Sequence, residues 1–295
     1  MLFHTRVPMV ATGTAEEGLK AVVDAIHAVF AERPEAQKSL AGIGVCSPGP
    51  LDPRKGVVIN PPNLPCWRNY PLADELRRDF NVPVRVDNDA NAAGLAEAIW
   101  GAGIGYRDVF YTTIGTGIGT GIVFDRKIYH GRTGSAAEGG HVTIDYHGPR
   151  CTCGKMGCIE IQCAGPAIAR RARAHLTASG QKDTKILELA GGDVEKIHAE
   201  AVGEAFRQGD PLARQVLRET ADLLTVWIGS IVDLLEPEVM IFGGGVSELM
   251  SEFFGYMKEN LPKWCINPHP NDIPMVRAKY GSDAGVAGGA ALCRM

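Results

Sequence analysis

Short apolar runs that are typical of β-strands alternate along this chain with longer segments of helical periodicity. The run "VPVRVDND" leads into an alanine-rich helical segment from Asp89 to about Trp100, and "EVMIFGGGVSE" passes through three glycines into another helix. Alternation of this kind favours the α/β class of folds. The glycine-rich stretch "GAGIGYRD" predicts a hinge or a domain boundary near residue 105.

A helix is also predicted near the start of the chain. Thr14 and Glu17 have the spacing of a capping box, in which each side chain accepts a hydrogen bond from the other residue's backbone amide. The residues that follow repeat at the spacing of one apolar helical face, formed by Leu19, Val22, Val23, Ile26 and Phe30.

Composition and charge narrow the class of protein. The 295 residues are 45% hydrophobic and 22% charged, which suits two modest domains or one large domain with a substantial core. A net charge of −4 and the lack of a basic run argue against a nucleic-acid partner. The sequence has neither a signal peptide nor an apolar run of 18 residues. We therefore expect a cytoplasmic protein without a membrane partner.

Two glycine-rich stretches are candidates for phosphate binding. In "TTIGTGIGTG", residues 112–121, closely spaced glycines let the backbone approach a ligand, and threonines add hydroxyl donors. No Gly-Lys-Ser/Thr follows, so the stretch is not a P-loop. In "FGGGVSE", three glycines precede a helix and could lie against a flat ligand. Together the stretches suggest a nucleotide held by two turns. The alternatives are a simple tight hairpin for the first and glycine packing for the second.

A polar cluster lies where a predicted strand meets a predicted helix. "RVDNDANAAG" places Asp87, Asn88, Asp89 and Asn91 at this junction, and α/β proteins expose their chemistry at strand ends. Asp89 is a candidate catalytic base. The alternative is that Asp89 only caps the helix, as a lone aspartate often does.

Three cysteines lie within eight residues in "CTCGKMGCIE". Because the cytoplasm keeps thiols reduced, a disulfide framework is not expected. Structural zinc takes four nitrogen or sulfur ligands, and His141 with Cys151, Cys153 and Cys158 would complete such a set. His147 competes for the fourth place because it is nearer in sequence. Cys163 is a further candidate, although a cysteine of this kind is more often just a buried thiol.

Several segments resemble the ROK family of sugar kinases and repressors, and the resemblance runs from about residue 5 to the end of the chain. The segments are "EGGHVTIDYHGPRCTCGKMGCIE", "TTIGTGIGTGIVF", "VDNDANAAGLAEA", "CSPGPLDPRKGVVINPPNLPCW" and "VMIFGGGVSE". The resemblance implies two actin-like, ribonuclease H-like α/β domains around an interdomain cleft. We expect a small N-terminal domain over 1–104, joined by a C-terminal helix over 282–295, and a large domain over 105–281 that contains the zinc site.

The resemblance also implies roles for individual residues. Asp89 resembles the general base. The implied sugar ligands are Asn88, Glu138, His141 and Glu160. The implied nucleotide-binding residues are Thr113, Gly115, Thr116, Gly117, Gly119, Gly243, Gly244 and Gly245. The implied zinc ligands are His141, Cys151, Cys153 and Cys158, with the zinc site holding His141 and Glu160 at the sugar.

The activity that these roles imply is ATP-dependent phosphorylation of a hexose, with glucose as the first choice, at its 6-hydroxyl. The implied cofactors are ATP, Mg²⁺ and a structural Zn²⁺, and we expect a homodimer or homotetramer. The alternative is a sugar-binding or regulatory member of the family without kinase activity.

One family motif is not found in the sequence. ROK kinases resemble one another in a D-x-G-G-T turn that contacts the ATP phosphates, whereas this chain opens at "LFHTRVPM", which resembles the strand that follows that turn. This comparison predicts a strand at residues 2–9. It also predicts that the functional protein begins upstream of Met1 and that the 295-residue form turns over slowly.

Overall fold

The structure is a computed structural model that describes residues 3–10 and 12–295. The chain divides into two units. Unit 1 comprises Met1–Arg107, Gly121–Ala137 and Tyr280–Met295, and unit 2 comprises Asp108–Thr120 and Glu138–Lys279. Among the helices of the described residues, none is long and apolar enough to cross a membrane.

Strands and helices alternate along the chain, as the sequence predicts. The strands are β1 (Ile43–Ser47), β2 (Leu51–Asp52), β3 (Val57–Val58), β4 (Val84–Asn88), β5 (Asp108–Ile114), β6 (Ile118–Phe124), β7 (Lys127–Ile128), β8 (Val239–Gly243) and β9 (Met275–Arg277). The helices are α1 (Ala15–Glu32), α2 (Pro34–Lys38), α3 (Leu72–Phe80), α4 (Asp89–Trp100), α5 (Ile159–Cys163), α6 (Gly165–Ser179), α7 (Lys185–Leu189), α8 (Ala199–Arg207), α9 (Pro211–Leu235), α10 (Gly245–Met250), α11 (Phe254–Asn260) and α12 (Ala284–Leu292).

Helix α1 of unit 1 begins as the sequence predicts. Thr14 is its N-cap, and the reciprocal hydrogen bonds between Thr14 and Glu17 form the predicted capping box. The apolar face of α1 packs on a core cluster that includes residues of β1, β4 and α3. Strands β1 and β4 pair in parallel, with Ile43 opposite Val84 and Ser47 opposite Asn88.

Helix α12 covers β1 through a direct backbone contact. A Cβ atom added to Gly44 in β1 would lie 1.8 Å from the carbonyl oxygen of Gly289 in α12. A Cβ atom on Gly289 would in turn lie 2.6 Å from the carbonyl oxygen of Gly44. Only two glycines allow the helix and the strand to approach this closely, because any side chain would push one backbone away from the other.

The sheet of unit 2 is built around parallel strands. Strand β5 pairs in parallel with β8, which pairs in parallel with β9. The first residues of β6, which belong to unit 2, lie on the other side of β5. The end of β6 belongs to unit 1, where it forms an antiparallel pair with β7. Strand, glycine turn and strand therefore follow one another at 108–124, as predicted.

The predicted strand at residues 2–9 is wrong for the part that the structure describes. Leu2 lies outside the described residues, and residues 3–10 form neither helix nor strand. A strand needs a hydrogen-bonded neighbour. No strand pairing of the described residues includes 3–10.

The close approach of α12 to β1 predicts opposite effects for two substitutions in one helix. Gly289→Ala should destabilise unit 1 by about 1–3 kcal/mol, because its methyl group meets backbone that cannot rotate away. Gly285→Ala is the matched control: nothing lies within 4 Å of its added Cβ, so it should be neutral or stabilising by up to about 1 kcal/mol. Urea unfolding followed by circular dichroism measures both variants. Equal midpoints for the two would contradict the contact.

Candidate functional site

The junction of β4 and α4 in unit 1 holds the candidate base. Asn88 is the N-cap of α4, and its Oδ1 accepts hydrogen bonds from the backbone amides of Ala90 at 2.9 Å and Asn91 at 3.4 Å. The alternative in which Asp89 caps this helix is therefore wrong. Asp89 is the first residue of α4, and its Oδ1 accepts a hydrogen bond from the backbone amide of Ala90 at 2.8 Å.

The surroundings of Asp89 change its acidity. The residue keeps contact with solvent, yet desolvation by the surrounding protein raises the pKa of its carboxyl group above the ordinary value. The hydrogen bond from Ala90 acts in the opposite direction and does not cancel this effect. A carboxylate with a raised pKa is a stronger proton acceptor, so the shift favours general-base chemistry.

A buried aspartate braces the same junction. Asp87 is 3% exposed. Its Oδ1 accepts hydrogen bonds from the Asn88 amide at 2.8 Å and from Asn91 Nδ2 at 3.2 Å. Its Oδ2 lies 2.6 Å from Nε2 of His130. The sequence pattern at the end of β4 indicates Asp87 but not His130, which lies 43 positions further along the chain.

In unit 2 the two glycine-rich stretches lie side by side. Strands β5 and β8 are parallel, and Thr113 is opposite Gly243. A Cβ atom on Gly244, whose φ is +85°, would lie 2.4 Å from the carbonyl oxygen of Ile114. The tight turn between β5 and β6, which we call the glycine turn, is residues 115–117, and Gly119 lies within β6.

A cleft with a volume of about 600 Å³ opens beside the glycine turn. Gly115, Thr116 and Gly245 line it, whereas the other predicted nucleotide-binding residues do not. The lining also includes residues that no sequence pattern indicated, among them Arg173, His198 and Arg207. These residues come from α6, α8 and the segment before α8, so no single sequence motif could have indicated them.

Glu138 directly precedes a short 3₁₀ turn, Gly139–His141, and His141 is the last residue of that turn. The turn is held at Gly139 from two sides. The indole Nε1–H of Trp227 donates to the Gly139 carbonyl oxygen at 3.1 Å, and the Gly139 amide donates to Thr120 Oγ1 at 2.9 Å. Trp227 is fully buried in α9. Its hydrogen bond fixes the backbone between the two candidate ligands.

Glu160, in the first turn of α5, lies between the glycine turn and His141. Its Oε2 accepts a hydrogen bond from the backbone amide of Ile118 at 2.9 Å. Its Oε1 lies 3.8 Å from Nδ1 of His141. The carboxylate therefore contacts one end of the glycine turn and approaches the candidate metal ligand.

The predicted zinc ligands converge on one point in unit 2. His141, Cys151, Cys153 and Cys158, which we call the metal cluster, each offer one atom, and these atoms all lie within 4.8 Å of one another. Cys153 Sγ lies 3.7 Å from Cys158 Sγ, and Cys151 Sγ lies 3.7 Å from His141 Nδ1. Two thiolates on one tetrahedral zinc ion are about 3.8 Å apart. The set is thus compatible with structural zinc.

The two competing ligands lie elsewhere. His147 is not part of the metal cluster, and its ring lies beside Tyr146. Cys163 is fully buried, and its thiol contacts the carbonyl oxygen of Thr220 at 3.8 Å. Desolvation raises the pKa of the Cys163 thiol to about 12, as expected for a buried structural cysteine.

This fold and these sites define a class of protein. It is a mixed α/β protein of two units, in which two glycine-rich stretches adjoin beside a cleft and a histidine and three cysteines form the metal cluster. The chain belongs to the ROK family, whose model matches residues 5–295. It is 35% identical to the glucokinase of Thermotoga maritima over 255 residues, which are 85% of this chain and 78% of that protein. It is 32% identical over 240 residues to the xylose repressor of Caldicellulosiruptor bescii, covering 81% of this chain and 58% of the repressor.

A solved structure extends the likeness to three dimensions. The ROK family glucokinase from Streptomyces griseus, in complex with glucose and AMPPNP, superposes with a TM-score of 0.79 and 34% identity. The match covers 96% of this chain and 89% of that one. The predicted fold of two actin-like domains is confirmed.

Proposed function

We propose that this chain is a sugar kinase that transfers the γ-phosphoryl group of ATP to the 6-hydroxyl of a hexose, most readily glucose. The observation that carries the proposal is the position of Glu160. One carboxylate oxygen contacts the amide at the end of the glycine turn, and the other approaches His141. A phosphate-binding turn next to sugar ligands is the arrangement that phosphoryl transfer to a sugar requires.

Asp89 is the proposed general base. A sugar hydroxyl is too weak an acid to be ionised at neutral pH, so its proton has to leave as the new bond to phosphorus forms. The Asp89 carboxylate would orient the hydroxyl and accept this proton. The Asn88 carboxamide uses Oδ1 as the cap of α4, which leaves its Nδ2 donor for a sugar hydroxyl.

The nucleotide is assigned to the cleft of unit 2. Backbone groups at Gly115 and Gly245 and the Thr116 hydroxyl would face the phosphates, and Thr113, Gly117, Gly119, Gly243 and Gly244 would shape the two turns behind them. Arg173 and Arg207 add positive charge to the lining. Mg²⁺, bound with ATP, would offset the negative charge of the phosphate oxygens.

Zinc is assigned to the metal cluster with a structural role. His141 would be both a zinc ligand and a neighbour of the sugar. Cys158 directly precedes α5, so binding its thiolate fixes the helix that carries Glu160. Glu138, at the other end of the 3₁₀ turn, completes the proposed sugar ligands.

A sugar-binding regulator without kinase activity is the second candidate function. Similarity to a xylose repressor favours it, because that relative shares 32% identity over most of this chain. Both candidates predict sugar binding, whereas only the kinase predicts sugar-dependent formation of ADP.

The first test is ADP formation over a panel of hexoses with Mg²⁺ and ATP, using the parent chain and Asp89→Asn. The parent should be active with glucose. The variant should lose about 10²–10⁴-fold in kcat, because an amide cannot accept the proton, while its glucose Kd stays unchanged. On the acid side, activity of the parent should fall at a pH above the ordinary pKa of an aspartate, since desolvation raises the pKa of Asp89 and protonation removes the base.

Two outcomes would contradict this assignment. Full turnover by Asp89→Asn would show that the proton leaves by another route. Glucose binding by the parent without ADP formation would favour the regulator instead.

A second prediction concerns the metal. The purified protein should contain one zinc ion per chain, and Cys158→Ala should lose it and raise the glucose Kd by about 10- to 100-fold. Cys163→Ala is the matched control, because it removes an equally buried thiol outside the metal cluster. Elemental analysis and titration calorimetry measure both. Zinc retained in Cys158→Ala, or zinc absent from the parent, would count against the structural site.

A third prediction concerns Trp227. Trp227→Phe keeps a buried ring but removes the donor to the Gly139 carbonyl, so the glucose Kd should rise about two- to tenfold while kcat changes less. Thr225→Val in the same helix is the control. It removes a buried hydrogen bond to Ala221 that does not involve the 3₁₀ turn, and the glucose Kd should not change. Equal glucose affinities in the two variants would contradict a positioning role for Trp227.

A further inference from the structure

The contact between Glu160 and the glycine turn leaves no space for a side chain. A Cβ atom added to Gly117 would lie 2.7 Å from Glu160 Oε2 and 3.4 Å from its Cδ. The next residue, Ile118, donates its backbone amide to the same Oε2 at 2.9 Å. The carboxylate thus lies against the backbone of the turn itself.

The helix that carries Glu160 is fixed independently of the turn. The guanidinium of Arg170 donates to the carbonyl oxygen of Ile161, and that of Arg171 donates to the carbonyl oxygen of Gln162 at 2.8 Å. Both carbonyls belong to α5. A change at the turn would therefore be absorbed by the Glu160 side chain and not by a shift of the helix.

The turn is also braced on the side that faces the cleft. The Gly115 amide donates to the Gly117 carbonyl oxygen at 2.9 Å, and the Gly165 amide donates to the Gly115 carbonyl oxygen at 2.8 Å. Gly115 lines the cleft, whereas Gly117 and Glu160 do not. Opposite ends of one three-residue turn thus face the proposed nucleotide and the proposed sugar ligand.

We infer that Gly117 is a positioning residue for the sugar, and that the glycine turn couples the two substrates through Glu160. The inference rests on the proposed function. When the turn holds Oε2, the carboxylate is oriented with Oε1 towards His141 and the sugar. A change that displaces Glu160 from the Gly117 end of the turn therefore changes the affinity for the sugar. By linkage, loss of the carboxylate changes the affinity for the nucleotide through the same contact.

The test in one direction compares two alanine variants of the turn in the full chain. Gly117→Ala should raise the glucose Kd at least about fivefold when no nucleotide is present, because its methyl group displaces Glu160. Gly115→Ala adds the same methyl group to the same turn with nothing within 4 Å, and it should change the glucose Kd by less than about twofold. Titration calorimetry gives the constants, and zinc content and the thermal midpoint report the fold of each variant.

The test in the other direction does not depend on the folding of a glycine variant. Glu160→Ala removes the acceptor of the Ile118 amide and should weaken AMPPNP binding at least about fivefold when no sugar is present, although Glu160 does not line the cleft. Glu138→Ala is the control, since Glu138 is also a proposed sugar ligand in unit 2, and its AMPPNP Kd should match that of the parent.

The results separate the inference from the proposed function. Selective effects of Gly117→Ala on glucose and of Glu160→Ala on AMPPNP would support the coupling. Equal constants within either pair of variants, in a parent that binds glucose and AMPPNP, would overturn the inference alone. A parent that binds no hexose would overturn the inference together with the proposed function.

Discussion

Parallel pairing of β5 with β8 is the constraint on which unit 2 depends. Parallel strands end at the same edge of a sheet, so the residues after Thr113 and those after Gly243 emerge together. The glycine turn and the start of α10 therefore adjoin, and a cleft forms beside them. The position of this cleft agrees with the general rule that ligands of open α/β sheets bind at the carboxyl ends of the strands.

The candidate ligands next to this edge are held mainly by backbone hydrogen bonds. Glu160 accepts from the Ile118 amide, and the 3₁₀ turn at Gly139 is held by Trp227 and Thr120. Backbone groups move less than side chains do, so a side chain anchored on them keeps its orientation. Such anchoring positions the side chains that would bind sugar hydroxyls before a substrate arrives. Side chains positioned in advance lower the entropic cost of binding.

Local sequence patterns predicted the parts of the structure that local forces determine. The capping box of α1 and the strand–turn–strand at 108–124 follow from spacings of a few residues. For the metal cluster, spacing left His141 and His147 open, and the family resemblance favoured His141. Contacts between distant residues were not predictable in this way. His130 lies 43 positions from its partner Asp87, and Trp227 lies 88 positions from its partner Gly139. A single histidine or tryptophan belongs to no repeating pattern that would predict its partner.

The sequence left one alternative open at the start of α4 and predicted one strand that the described residues do not form. Either Asn88 or Asp89 could have capped α4, because both side chains accept hydrogen bonds well at that position. The structure assigns the cap to Asn88. The strand predicted at 2–9 is absent from residues 3–9, the part that the structure describes. An extended segment becomes a strand only when a neighbour pairs with it, which the segment's own residues do not specify.

The contact between β1 and α12 also has a consequence for how the chain folds during synthesis. Cys46, in β1, donates to the carbonyl oxygen of Gly285, 239 positions later. Unit 2 is formed largely by the continuous stretch Glu138–Lys279, whereas unit 1 needs residues from both sides of it. As the ribosome releases the chain from its N-terminus, unit 2 can acquire its core while β1 still lacks its covering helix. Because contacts of high sequence separation form slowly, we expect β1 to be covered last.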